Sequence, residues 1–546
     1  MRRSYDAVQS TLHDDLAAAE TVGAAVSAAA RCWPDEPYLH FAPTGEQFTY
    51  GELDARVDEV ARALRAAGVE QGDRVGLYLE NSPIYVVGAY ACAKLGAIQA
   101  PINWLYRERE VTHAIESAEI STVLVQPDDE YLERLTPVAA DYDGLDTVVT
   151  TEGDASFDGV DTHTLPALVE AAADTPLDAE VAHEDPLAIL YTSGTTGLPK
   201  PAVLTHRSYL VAAKSFLGAP VDANGVNFNP YPLFHANNQV YSMLGSLLLG
   251  GEYVLSDTFS ASRFFDVVTD YGVTSFNIIG GVPKILDSTY EDDEIPDTTL
   301  ELAIGPISGE LWERFEARFD LDVVQIYSQT ESPTLLMNHP DLDARKTGAI
   351  GKPMFPDLGH EAWVLDAEGE EVPPDETGEL VRTDPGCMDG YWNFPEKTTE
   401  TLRDGKIYSG DVVRRDADGY LYYVDRKKFM IRRGGENISA QEIENVVDEL
   451  DGVEESAAIP VPDEILGEAV KVLVKRRHDD VTERDVVRRV AETLAPYKVP
   501  RYVEFTDGFP RTPTERIRRV ELADQEKERD DHGWDRDAEY PDWNEP

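Results

Sequence analysis

The decapeptide YTSGTTGLPK, Tyr191 to Lys200, follows the apolar run LAILYT and packs glycines, hydroxyls at Ser193, Thr195 and Thr196, and a terminal lysine into one short loop. Small residues let backbone N–H groups approach an oxyanion, hydroxyls donate hydrogen bonds, and the ammonium adds positive charge. These residues predict a polyphosphate cradle. It is not a Walker A loop, because G-x-x-x-x-G-K-[ST] cannot be threaded through it. Pro201 follows Lys200 and removes one backbone donor, so one phosphate contact is expected to be missing.

The loop resembles the signature of the ANL adenylate-forming enzymes, a superfamily of acyl- and aryl-CoA synthetases, nonribosomal-peptide adenylation domains and luciferases. The resemblance extends from about Phe48 to Leu522. It implies that Thr192, Ser193, Gly194, Thr195, Thr196, Gly197 and Lys200 hold ATP phosphates, with Thr196 also serving catalysis and Mg²⁺. YSQTE at 327 to 331 resembles the Tyr-Gly-x-Thr-Glu motif, with Ser328 in place of glycine. That implies adenine stacking for Tyr327, an α-phosphate contact for Thr330, and a catalytic and Mg²⁺-binding role for Glu331, chemistry that suits a flat ring, a hydroxyl and a hard oxygen donor. AIGPIS at 303 to 308 resembles the adenine-pocket segment, which places Gly305 and Pro306 at the nucleotide, although Ile304 and Gly305 depart from the usual pattern.

Further stations follow from the same resemblance. Asp411, in YSGD, would accept both ribose hydroxyls, since a carboxylate offers two oxygens. Arg426 would contact ribose or phosphate, Lys428 would be the pivot of a mobile small domain, and Gly434, Gly435 and Glu436 would shape the channel for CoA. His235, in PLFHANNQ, falls beside the acyl pocket and is a catalytic candidate, with Ala236, Asn237, Asn238, Phe276, Ile278 and Gly280 as pocket walls. Asn237 and Asn238 hint at a polar portion of the substrate. Near the C-terminus, RTPTER departs from the family's Pro-Arg-Thr-x-x-Gly-Lys ending, with Glu515 and Arg516 at the Gly and Lys positions. Arg516 is expected to take over charge neutralisation in adenylation, although a planar guanidinium is not equivalent to an ammonium.

These residues need a scaffold. Leu53, Val57, Val60, Ala61 and Leu64 share one helical face, and helix-then-strand alternation recurs through Leu95 to Val125, Thr205 to Leu255 and Phe264 to Ile279. This predicts an α/β fold: a large N-terminal domain of stacked α/β sheets plus a β-barrel-like subdomain between Gly359 and Tyr423, with a small mobile α/β C-terminal domain. The expected boundaries are 1–425 for the adenylation domain, 426–522 for the small domain and 523–546 for a disordered acidic tail. A capping box at Ser439 and Glu442 should open the first helix of the small domain.

Composition narrows the class. There are 48 Lys and Arg against 103 Asp and Glu, a formal charge of -55 spread along the chain. Such a surface repels nucleic acid and anionic membranes, and reads as adaptation to high salt in a halophile. Cys32, Cys92 and Cys387 are far apart and show no metal-ligand or disulfide spacing. No apolar stretch reaches the length of a membrane span, so a cytoplasmic protein is expected. A homodimer is left open.

The resemblance therefore implies an AMP-forming acyl-CoA ligase using ATP, Mg²⁺ and CoA, nearest in its C-terminal motifs to carnitine- or crotonobetaine-CoA ligases and medium-chain acyl-CoA ligases. Two alternatives stand beside it: loading of an acyl group onto a carrier protein, and a nucleotide-binding regulator that has lost adenylation.

Overall fold

In the computed structural model of this chain, the helix expected from the period of Leu53, Val57, Val60, Ala61 and Leu64 spans Tyr50–Ala66 and buries all five. Thr49 starts it with a reciprocal capping box, its hydroxyl accepting from Glu52 N while the Glu52 carboxylate accepts from Thr49 N. The structure describes residues 4–539 except 174–175, 193–198, 280–281, 308, 340, 428, 434–435, 464–466, 479, 495, 512–515, 528 and 530. Two units emerge, one of residues 1–362 and 382–408, the other of 363–381 and 409–546.

Two large sheets organise the first unit. One has eight strands in the spatial order Gly390–Tyr391, Lys200–Thr205, Pro186–Thr192, Ile98–Pro101, Arg74–Tyr78, Thr122–Val125, Thr147–Thr150 and Asp161–Thr164. From Pro186–Thr192 onward its neighbours are parallel, whereas the strands at the Gly390 end are antiparallel. The other has seven strands, of which Asp322–Val324, Leu302–Ile304, Ser275–Asn277 and Val226–Asn229 are consecutive parallel neighbours. Parallel strands need crossover helices, and the helices between them supply one large apolar core around Leu53, Val86, Tyr209 and Leu247. This is the mixed α/β fold the alternation predicted.

In the second unit, Val453–Asp463 and Gly467–Arg476 form a long antiparallel pair, and Ala440–Asp448 and Glu483–Thr493 pack through Ile443, Val447, Val486 and Val490. Half of the expected capping box forms. Ser439 Oγ accepts from Glu442 N at 3.2 Å, but the Glu442 carboxylate takes Lys498 at 2.6 Å instead of the Ser439 amide, since an ammonium attracts it more strongly.

The stretch from residue 523 onward, whose acidity suggested a solvated tail, carries the end of the helix Arg519–Lys527 and a short strand, Trp534–Asp535, paired with Tyr502 and Val503. Leu522 packs with Ala457, Ile459 and Leu473. The acids have partners: fully buried Lys471 lies 2.5 Å from Glu504 and 2.8 Å from Glu526, and Arg501 binds Asp463 at 2.6 Å and Asp535 at 3.1 Å. Composition cannot reveal partners that lie 55 residues upstream, as Lys471 does from Glu526, or 34, as Arg501 does from Asp535.

Among the described residues, no helix is long and apolar enough to cross a membrane, and the three cysteines are free.

One buried charge in the first unit is costly. Lys214 is 2% exposed, and its Nζ donates to the Tyr5 hydroxyl at 3.1 Å. Burial lowers its pKa from 10.5 to about 8. The folded state therefore disfavours the ammonium, so stability is reduced below pH 8 and recovers as pH rises from 8 towards 10.5. At 1.36 kcal/mol per unit the effect is at most roughly 3 kcal/mol. Lys214→Met should raise the unfolding free energy at pH 7 by on the order of 2 kcal/mol, with the gain shrinking at pH 10; denaturant melts at the two pH values measure this.

Candidate active site

Antiparallel pairing fixes both ends of the phosphate loop. Tyr191 lies opposite Pro201 and Thr192 opposite Lys200, so the segment between them is closed by a strand ladder. The shoulders are tied to the helix Glu108–Ser117: Tyr191 Oη donates to Ala114 O at 2.5 Å, and His113 Nε2 donates to Pro199 O at 2.8 Å. Ser193, Gly194, Thr195, Thr196 and Gly197 lie outside the described residues, while Thr192 is buried and Lys200 half-buried. In a strand, a residue's N–H and C=O point to the same side, and Pro201 O accepts from Trp392 N at 2.8 Å. The donor missing at Pro201 therefore faces the short edge strand rather than the loop, a position where proline is tolerated.

Thr330 and Glu331 occupy the two-residue turn of a hairpin, between Ile326–Gln329 and Ser332–Met337, with Gln329 paired to Ser332. So tight a connection fixes their backbone. Glu331 is tied to Lys200, at the end of the loop, by Tyr391. Its hydroxyl donates to Glu331 Oε1 at 2.6 Å and accepts from Lys200 Nζ at 2.9 Å, while the ammonium lies 4.1 Å from its ring centroid. Burial, then the adjacent Glu331 charge, raises the phenol pKa, so Tyr391 stays neutral and can donate. Tyr391 is delivered by backbone pairing, as Gly390–Tyr391 aligns with Val203 and Ala202 and Met388 N donates to Glu331 O. Its only sequence signal is an aromatic residue in the run GYWN, which carries no chemistry by itself.

The Tyr327 ring lies 5.4 Å from the Arg382 guanidinium. Arg382 is fully buried, donating to Ser332 O and Thr334 O, and Asp384 accepts from Ser332 Oγ at 2.6 Å beside it. Gly305 follows the strand Leu302–Ile304 with φ +152°, and a Cβ there would stand 1.9 Å from Ile278 O. Only glycine fits so close an approach, which accounts for its departure from the usual pattern. Pro306, next to it, is exposed.

His235 precedes a π-helical segment, Asn237–Leu244, and accepts through its carbonyl from Asn238 N and Gln239 N. Such segments are rare and frequent at functional sites. Phe276 and Ile278 are fully buried in an apolar cluster with Phe264 and Phe315. Asn238 is also fully buried, donating to Tyr231 O at 2.5 Å and accepting from Tyr253 Oη at 2.6 Å, so both ends of its amide are used. Asn237 remains half-buried, and Gly280 lies outside the described residues.

The second unit holds its own cluster. Asp411, 1% exposed, pairs across the strands Lys406–Arg415 and Leu421–Arg426 with Arg426, whose Nε lies 2.6 Å from Asp411 Oδ1. Arg516 keeps solvent contact, yet its charge lies among Arg426, Tyr423 and Asp411. Protein packing and the like charge of Arg426 pull its pKa below the usual arginine value, while Asp411 opposes the shift. The structure thus brings together Asp411, Arg426 and Arg516. Lys428, Gly434 and Gly435 lie outside the described residues, as does the Glu436 side chain.

Residues 26–392 match the AMP-binding enzyme family, and residues 442–516 match the AMP-binding enzyme C-terminal domain. The chain belongs to this family. A feruloyl-CoA synthase of Amycolatopsis sp is 35% identical over 487 residues, covering 88% of this chain and 94% of the relative. A fatty acid–[acyl-carrier-protein] ligase, ScoC, of Streptomyces coeruleorubidus is 32% identical over 495 residues, covering 88% and 92%. Among solved structures, ATP-bound MatB from Rhodopseudomonas palustris superposes with a TM-score of 0.82 at 26% identity, covering 93% of this chain and 99% of that one.

Tyr391→Phe would keep the ring under Lys200 and delete only the bridging hydroxyl. One hydrogen bond is worth about 1 kcal/mol. The expected outcome is an ATP Kd raised about three- to tenfold at an unchanged melting temperature, read by calorimetry; an unchanged Kd would separate Tyr391 from the nucleotide.

Proposed function

We propose that this member of the AMP-binding enzyme family is an AMP-forming acyl-CoA ligase. The observation that carries the reading is the hydrogen-bonded chain Lys200–Tyr391–Glu331, which joins the end of the phosphate loop to the carboxylate of the YSQTE motif. The full-length similarity to CoA ligases supports it.

In the first half-reaction, the carboxylate oxygen of the acid attacks the α-phosphorus of ATP, and the bond to the β-phosphate oxygen breaks, releasing pyrophosphate. In the second, the CoA sulfur attacks the acyl carbonyl, AMP leaves, and the thiol proton passes to solvent. Adenylation replaces a poor leaving group, oxide, with AMP. Most of the rate enhancement then comes from orientation and charge stabilisation.

Lys200 would hold the outer phosphates, with Tyr391 fixing its ammonium. Tyr327, braced by Arg382, would stack on adenine, and Asp411 and Arg426 would hold the ribose. Glu331 and the Thr196 hydroxyl are oxygen donors of the hard type that Mg²⁺ takes, and a bound Mg²⁺ would screen phosphate charge. Arg516 would neutralise charge between the acid and the α-phosphate. We place the pivot of the small domain at Lys428, and we read the charge of -55 as adaptation to concentrated salt, so assays belong in molar KCl.

Acid-dependent ATP–pyrophosphate exchange tests the first step, and thioester formation tests the second. Exchange without a CoA thioester, but with transfer to an acyl-carrier protein, would favour the carrier-loading reading suggested by the ScoC similarity. Absence of exchange with any of a broad acid panel would leave a nucleotide-binding protein. Arg516→Ala should lower the exchange rate about hundredfold, the order found for one lost transition-state donor, and Arg516→Lys should recover most of it. A wild-type rate in Arg516→Ala would remove Arg516 from the mechanism.

A further inference from the structure

The strands Val226–Asn229 and Ser275–Asn277 present Asn227, Asn229, Ser275 and Asn277 at alternating positions, so all four lie on one sheet face. Amides on a buried face are costly unless each finds a partner. Here they form a directional chain that ends at Asn237, the first residue of the π-helical segment.

The direction follows from one backbone group. Tyr231 N–H can only donate, and it meets Asn229 Oδ1 at 3.0 Å, so the other end of the Asn229 amide must be its NH₂. That NH₂ donates to Ser242 Oγ at 2.8 Å and to Asn237 at 3.0 Å, which makes the receiving atom of Asn237 its oxygen. Asn277 Nδ2 donates to the same oxygen at 3.2 Å, and Asn277 Oδ1 accepts from Asn227 Nδ2 at 3.4 Å. Asn229 and Asn277 are fully buried, so this order cannot be reset by water.

The surplus groups then fall at opposite ends. Asn227 Oδ1 is buried without a partner at the closed end. At the other end, Asn237 Oδ1 accepts twice, and among the described residues no protein acceptor meets its Nδ2. Asn237 is half-buried, beside the carboxyl-terminal residues of two parallel strands, where open α/β sheets bind their ligands. The next two amides along the segment offer no comparable group, because Asn238 is used at both ends and Gln239 donates to Leu233 O and accepts from Gln99 and Tyr209.

We propose that Asn237 Nδ2 is a specificity-determining donor that selects acids carrying an acceptor oxygen (ether, carbonyl or hydroxyl) on the acyl portion, over acids of the same shape without one. This rests on the ligase reading. A purely alkyl acid would strip water from the Nδ2 donor and return nothing, whereas an oxygen on the acid replaces that water.

The test uses acid pairs matched in shape, 4-methoxybenzoate with 4-ethylbenzoate and 5-oxohexanoate with 5-methylhexanoate, assayed by ATP–pyrophosphate exchange. The readout is the ratio of kcat/KM within a pair. Wild type should favour the oxygen-bearing member of at least one pair by tenfold or more. Asn237→Asp keeps an oxygen for Asn229 and Asn277 and replaces the donor by an acceptor; its ratio should fall to one or below, whichever way absolute rates move. Asn237→Leu, which removes both functions, should also bring the ratio near one. A wild-type ratio near one in both pairs overturns the inference and leaves the ligase reading intact, as does a ratio in Asn237→Asp equal to wild type. Absence of exchange with every acid overturns the ligase reading, and the inference with it.

Discussion

A short antiparallel seam holds the candidate site of the first unit together. Residues 388–392 run beside Lys200–Thr205, donating from Met388 N to Glu331 O and from Trp392 N to Pro201 O. Two segments that are 131 residues apart in sequence, at Lys200 and Glu331, thereby share one phenol between them. Neither side chain could be held by its own loop, since a loop lysine has several rotatable bonds and a turn glutamate is half-exposed. The seam substitutes backbone ladder geometry for side-chain packing, and ladder spacing is the more exact of the two.

The seam also explains how Pro201 is accommodated. A proline in a strand removes the one ladder donor it would offer to a single neighbour, and here that missing N–H falls toward the edge strand of only two residues, Gly390–Tyr391. The sequence raised a doubt about phosphate binding at this position, and the structure moves the doubt to a strand edge.

Much of the fold was legible. Periodicity found the helix Tyr50–Ala66, because an amphipathic face repeats at the helical period, and the capping signal at Ser439 marked the start of Ala440–Asp448. The chemistry-bearing types in the loop, the YSQTE motif and YSGD were legible for the same reason, since each is local in sequence. What escaped were relations across distance. Tyr391 is informative only through the strand pairing that sets it against Lys200, and the partners of the Asn238 amide, Tyr231 and Tyr253, likewise meet it only in the fold. The ordered segment to residue 539 escaped likewise. Composition registers its acids, but not Lys471 and Arg501 waiting upstream to pair with them.

The π-helical segment Asn237–Leu244 limits how this protein can diversify. A turn of this kind holds one residue more than an α-helical turn, and losing that residue would let the backbone relax to ordinary helix while rotating each following side chain by about 100°. Tyr241, whose hydroxyl reaches Pro333 O, and Ser242, which receives Asn229, would both be turned away from their partners. Changes of length are therefore closed to this stretch, and its register should be inherited unchanged in descendants of this chain.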